Sequence, residues 1–382
     1  MRLCDVCDFQ GGSQPPKNEW SFEQKDGYIR MLQIRDFTQT RNVEKEYIKL
    51  TSSTKTCVTE DILIARYGAS IGKILTGLSG AYNVAIMKTI PNEGILNKSY
   101  LKYYLLSNYF QNGINSVGAR AAQAGFNKED LSKLYIPVVS LVQQKLIVDK
   151  LNKLTTFIGK RKTQLEKLDE LVKARFVEMF GTLNANEKGF DVIDIEKLCT
   201  LIKDGTHQTP TYTEDKQNGF KFLSSKDVMT QKICWEDIKY IPAELHEKLY
   251  ATIQPKRNDI LMSKNGVNYG VAAVNDTDEV FDIYVSLALL RPKTDRVNPV
   301  YLRCAINNPD TKRQFDSSIK GIGVPNLHLG EIKKTKVLLP PISKQNEFTD
   351  FVEQVDKSKF EIKQSLEKLE VLKKALMQKY FG

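Results

Sequence analysis

Leu165–Gly181, LEKLDELVKARFVEMFG, and Leu366–Gly382, LEKLEVLKKALMQKYFG, are one stretch written twice, 201 residues apart. Nine of the seventeen positions are identical without a gap, among them the closing Phe-Gly. Working upstream, Leu134-Tyr135-Ile136-Pro137 matches Val337-Leu338-Leu339-Pro340, and Gln144-Lys145 matches Gln345-Asn346. Asp61-Ile62-Leu63 with Gly68 and Gly72 matches Asp259-Ile260-Leu261 with Gly266 and Gly270. Tyr100-Leu101 and Tyr301-Leu302 each open an amphipathic helix, and Gly27-Tyr28 through Asp36 matches Gly219-Phe220 through Asp227. A period of half the chain is a duplication, and it sets the fold before any single element is read.

Each copy reads as a mixed α/β globule followed by a long helix, an α+β arrangement with pseudo-twofold symmetry. The segments are 1–139 and 182–340 for the globules, with 140–181 and 341–382 for the helices. Short β-rich runs at Ile29–Ile34, Ile62–Ala65, Tyr82–Lys88 and Ile283–Leu290 are separated by Gly and Asn turns. Pro137, and Pro340-Pro341 in the second copy, punctuate the entry to each helix. Along the first helix Leu151, Leu154, Ile158, Leu165, Leu168, Val172 and Met179 recur at steps of three and four. Val352, Val355, Ile362, Leu366, Leu369, Leu376 and Tyr380 do the same in the second. Such seams require a partner helix, and the nearest candidate is the other copy. Charged residues interrupt them at Arg161, Arg175, Lys359 and Lys373.

With 382 residues, 41% hydrophobic and 27% charged, the chain can build two cores. A formal net charge of +10 favours a polyanionic partner. Six cysteines and three histidines are scattered, and Cys4/Cys7 has no second pair to complete a zinc site, so buried free thiols are expected. No signal peptide or bilayer-length apolar run is visible, which places the chain in the reducing cytoplasm. Catalytic signatures are missing. Gly68–Lys73 lacks the spacing of a nucleotide loop, so its glycines and those at Gly266 and Gly270 are read as strand turns. No dinucleotide fingerprint and no Asn-Pro-Pro-aromatic motif occurs, and Asp310 and Glu331 are read as surface carboxylates.

What remains are polar, basic, Gly-rich loops at matching places: Gln10–Lys17 with Asp204–Pro210, and Ser116–Asn127 with Ser318–His328. Arg and Lys can bond guanine N7 and O6, while Asn and Gln pair with adenine, each pair being worth about 1–3 kcal/mol of discrimination. Candidate DNA contacts in the first copy are Gln14, Lys17, Arg35, Arg66, Lys73, Arg120, Gln123 and Asn127. In the second they are Thr206, His207, Gln208, Lys226, Lys264, Asn265, Lys320, Asn326 and His328. No catalytic or metal-binding residue is expected.

The chain resembles the specificity subunits of type I restriction–modification enzymes over essentially its full length. The resemblance rests on GGSQPPK (Gly11–Lys17) with GYIRMLQIRDF (Gly27–Phe37), and KDGTHQTPTY (Lys203–Tyr212) with GFKFLSSKDV (Gly219–Val228). The unit endings YIPVVSLVQQKLIVDKL (Tyr135–Leu151) and VLLPPISKQNEFTDFV (Val337–Val352) carry it further. It implies two target recognition domains held apart by an antiparallel coiled coil, each reading half of a bipartite, asymmetric DNA target. It implies two methyltransferase subunits that methylate adenine, and motor-nuclease subunits that restrict. S-adenosylmethionine, ATP and Mg2+ would be used by those partners, with no cofactor in this chain. One departure is that Gly189–Lys197 precedes the Leu198-Cys199 that matches Leu3-Cys4, so the first domain either lacks an opening strand or is completed by the C-terminal end of the chain. Two other classes stay open: a self-contained DNA-modifying or DNA-cleaving enzyme, and a repeat scaffold for proteins only.

Overall fold

The computed structural model describes residues 1–39, 43–118, 125–319 and 324–382. They form two compact units, Met1–Thr163 with Lys363–Gly382, and Gln164–Ile362. The long helices run Leu141–Phe180 and Ile342–Phe381, 40 residues each, or about 60 Å at 1.5 Å per residue. The units nevertheless divide each helix near its middle. Each therefore contains a globule, the first half of the helix that follows it, and the last half of the other helix.

In the first unit a four-stranded antiparallel sheet has the order Cys7–Gly11, Ile86–Pro91, Leu63–Ala65, Ile74–Leu75. A second sheet orders Trp20–Ser21, Glu46–Lys49, Tyr28–Leu32, Gly80–Tyr82 and Thr56–Cys57, with one parallel step between Tyr28–Leu32 and Gly80–Tyr82. The second unit repeats the plan. Its four-stranded sheet is Cys199–Asp204, Leu287–Pro292, Ile260–Ser263, Ala272–Val274, and its smaller sheet is Lys239–Ile241, Phe220–Leu223, Phe281–Ile283. The parallel step recurs between Phe220–Leu223 and Phe281–Ile283.

The runs read as single strands, Tyr82–Lys88 and Ile283–Leu290, are each two strands in two sheets. Gly80–Tyr82 ends in one sheet and Ile86–Pro91 begins in the other, as do Phe281–Ile283 and Leu287–Pro292. The intervening residues 83–85 and 284–286 cross between sheets, which continuous apolar character could not reveal. Gly68, Gly72, Gly266 and Gly270 have φ of +69, +76, +87 and +87°, the left-handed turns expected between strands.

The second unit opens with Asp191–Asp194, paired antiparallel to Lys336–Leu339. At the matching place in the first unit only an isolated bridge, Arg2 to Tyr135, is formed. The end of the chain also enters the first core. Phe381 is 2% exposed, and its ring centroid lies 5.0 Å from that of Tyr100. Phe180 does the same in the second unit, 4.9 Å from Tyr301. The aromatic ends of the helices thus belong to globules of the opposite copy.

Two buried glutamines fix where each helix leaves its globule. Gln144 Nε2 donates to the carbonyls of Ile95 and Val139, both at 2.8 Å, and its Oε1 accepts from Asn97 N at 2.8 Å. Gln345 repeats this with Arg296 O at 3.3 Å, Pro340 O at 2.7 Å and Asn298 N at 2.8 Å. An unpaired buried amide would cost about 1–3 kcal/mol, so these triply bonded side chains lock the joint.

The two helices pair antiparallel within each unit. In the first, Leu151 shares a core with Phe381, and Lys162 meets Glu370 at 2.9 Å. In the second, Asp169 pairs with Lys359 and Arg175 lies 3.3 Å from Glu347. Leu151, Leu154, Val352 and Val355 are buried, while Leu165, Leu168, Ile362, Leu366 and Leu369 are half-buried. No helix among the described residues is long and apolar enough to cross a membrane.

Candidate nucleic-acid interface

The sheet crossings at 83–85 and 284–286 gather the loops. In the first unit Gly12 N donates to Ile86 O at 3.0 Å, Ser13 N to Tyr82 O at 3.1 Å, Asn83 N to Leu32 O at 3.2 Å and Arg66 N to Ala85 O at 2.8 Å. In the second, Gly205 N donates to Leu287 O at 3.2 Å, Thr206 N to Ile283 O at 3.0 Å, Tyr284 N to Leu223 O at 2.9 Å and Lys264 N to Ser286 O at 2.8 Å. These are the same four bonds at equivalent positions. A fourth loop joins through backbone bridges, Tyr67 with Gly125 and Asn265 with Asn326. Gly12 and Gly205 are required here, because a Cβ on either would lie 2.1 Å from a carbonyl oxygen of the crossing, Asn83 or Ile283.

On this shared frame the two units carry different side chains. Gln14 and Lys17 are exposed on the loop that follows Gly12 and Ser13. Arg35 is exposed and ion-paired with Glu46, on a turn capped by Gln33 and Asp36. Arg66 is half-buried. Its guanidinium donates to Phe126 O and Val84 O, both at 3.3 Å, and stacks over Tyr67 at 5.0 Å. It therefore ties the loops together as well as facing them. Lys73 is exposed at the end of the Gly68–Gly72 turn. Asn127 caps the helix Lys128–Ser132, accepting from Asp130 N at 3.0 Å in a reciprocal capping box. Arg120, Gln123 and Lys320 lie outside the described residues.

In the second unit His207 and Gln208 are exposed, with Thr206 Oγ1 accepting from Gln208 N at 3.2 Å. Lys226 is exposed, and its ammonium donates to Asp237 O at 3.0 Å. Lys264 differs from the expected surface cation. Its side chain is 6% exposed, and its ammonium meets Asp204 Oδ2 at 2.6 Å. His207 Nε2 lies 3.3 Å from the same oxygen. Burial alone would raise the Asp204 pKa, but the bond and charge of Lys264 outweigh it and hold the carboxyl below its usual value. Asn265 Oδ1 is buried without a hydrogen-bond partner. Asn326 and His328 are exposed, His328 at the start of the helix Leu329–Lys334.

The structure adds residues that the loop motifs did not single out. Tyr82 OH donates to Gln10 Oε1 at 2.9 Å, bracing the first loop. Tyr212 stands at the end of the second, with Lys239 4.3 Å from its ring centroid. The first was hidden inside an apolar run, and the second needs a partner 27 positions away. Asp310, read as a surface carboxylate, accepts from Leu183 N at 2.6 Å and pairs with Arg313. Among the described residues no group of three metal-ligating side chains gathers.

A family model for the type I restriction modification DNA specificity domain matches residues 1–170 and 187–374. The specificity subunit of the type I restriction enzyme MjaVIII of Methanocaldococcus jannaschii is 23% identical, over 93% of this chain and 85% of that protein. The EcoBI specificity subunit of Escherichia coli is 21% identical, over 94% and 80%. Among solved structures, a chain from a study of complex assembly and conformational transition of the type I R-M system superposes with a TM-score of 0.60 at 17% identity, covering 100% of this chain and 96% of that one. The S subunit of the type I system of M. genitalium gives 0.57 at 16% identity, covering 100% and 95%.

Proposed function

The chain belongs to the type I restriction–modification DNA specificity family, and on that premise we propose that it is the DNA-reading subunit of such a complex. Each unit reads one half of a bipartite, asymmetric target through the loops gathered at its sheet crossing. The observation that carries this reading is the repeated frame. Four equivalent backbone bonds hold the loops alike in both units, while the side chains at matching positions change: Gln14, Arg35 and Arg66 against His207, Lys226 and Lys264. A constant frame with changed donors and acceptors is what two unrelated half-sites require.

The chain serves as a non-catalytic, cytoplasmic component. Two methyltransferase subunits methylate adenine with S-adenosylmethionine, and motor-nuclease subunits restrict with ATP and Mg2+. Exchange of residues 1–139 for the corresponding globule of a relative tests the reading, with the methylated sequence of the host genome as readout. One half of the target should change and the other remain. Both halves changing together would show that the units do not read independently. The purified chain with DNA and S-adenosylmethionine should transfer no methyl groups; transfer would favour a self-contained enzyme.

A further inference from the structure

We propose that the first unit carries a second site, distinct from its DNA-reading loops, for a small organic anion: a phosphate or carboxylate borne on an apolar or aromatic body. The site is a cavity of about 420 Å³ between the turn at Tyr103–Asn108 and the facing stretches of the two long helices. That volume is in the range of small-molecule pockets, about 300–1,000 Å³. Its apolar wall is Tyr103, Leu106, Ile158 and Met377. Its charged wall is Lys162, Lys373 and Lys374 with a single side-chain carboxylate, Glu370. Glu370 is engaged by Lys162 at 2.9 Å.

The charge at Lys373 stands out against the duplicated copy. In the second unit the seam cations are answered by carboxylates: Arg175 by Glu178 at 3.0 Å and Glu347 at 3.3 Å, and Lys359 by Asp169 and Asp356. Lys373 has no ion pair among the described residues. Its counterpart 201 residues earlier is Val172, which packs against the second core. The first unit therefore places a half-buried ammonium where the second places an apolar side chain, and leaves an open space beside it. Burial, and then the nearby charge of Lys162, push the Lys373 pKa down, opposed by Glu370. An anion in the cavity would relieve both effects. An inorganic ion alone would leave the Tyr103, Leu106 and Met377 wall facing water, so the ligand needs a body as well as a charge.

The inference does not rest on the DNA-reading role, and it is tested on the full chain without DNA. Isothermal titration compares AMP and 3-phenylpropionate with adenosine and inorganic phosphate, which lack the anion or the body. At least one of the first pair should bind, with adenosine and phosphate at least tenfold weaker. Lys373→Met, which keeps the side-chain bulk, should weaken binding at least tenfold without lowering the thermal midpoint, while Lys373→Arg retains it. Lys162→Gln gives a second reading should Lys373→Met fail to fold. No binding by either organic anion, or binding indifferent to these substitutions, overturns the proposal.

Discussion

The ammonium of Lys264 lies 2.6 Å from Asp204, with a side chain only 6% exposed, at the centre of the second unit's loop cluster. Removing one member of such a pair strands the other charge in a poorly solvated place, at a cost of about 3 kcal/mol. Asp204→Ala should therefore destabilise the second unit by that amount at neutral pH, and Lys264→Met in the same chain should recover most of it. Chemical denaturation of the three variants checks this; equal losses in single and double variants would show that the pair is not coupled. The sign with pH follows from the depressed carboxyl. Its contribution is fully present above the ordinary Asp value of about 3.9, and is lost as pH falls through the lower folded value. Asp204→Asn should accordingly flatten the acid limb of the unfolding midpoint. The first unit has Gly11 in place of Asp204 and Arg66 in place of Lys264, so the same acid sensitivity should be missing there.

At the scale of elements, the helix ends decide which globule each stabilises. Phe381 packs on Tyr100 and Tyr104, at centroid distances of 5.0 and 6.2 Å, and Phe180 packs on Tyr301 at 4.9 Å. Truncating a buried phenylalanine costs about 3–5 kcal/mol. Phe381→Ala should thus raise hydrogen exchange in residues 1–118 and leave the second globule protected, while Phe180→Ala does the reverse. Loosening of the preceding globule in each case would refute the crossed assignment. The long helices and their duplication were legible in the sequence, because periodicity at steps of three and four survives over 40 residues. The closing Phe-Gly was visible as a repeat, but not as a long-range core contact. The seam reading chose Met179 over Phe176 and Phe180, since heptad position says nothing about what lies beyond the partner helix. The sheet crossings were illegible for a related reason: both flanking strands are buried, and an apolar run gives no sign of changing sheets. Loop positions followed from motif matching. Burial of Lys264 did not, because it depends on Asp204, 60 residues away.

For the whole molecule, duplication offers any surface present in both copies to two identical partners. Lys167 and Lys368 are exposed at matching positions in the closest-matching stretch, as are Glu166 and Glu367. A seam needs no conserved outward charge, so these residues fit a shared docking surface. Reversing charge at Lys167 and Lys368 together should reduce the occupancy of the two proposed methyltransferase subunits while leaving the fold intact. Native mass spectrometry at saturation checks it, and a single bound subunit with the unaltered chain would count against the two-site arrangement. The crossed helix ends have one more consequence. A fragment ending at Gly181 would own a socket at Tyr100 with no plug, and a plug at Phe180 with no socket. Two such fragments would be mutually complementary, each donating what the other lacks. The covalent join between the copies is then a convenience of stoichiometry, and it guarantees that two dissimilar readers always travel as a pair.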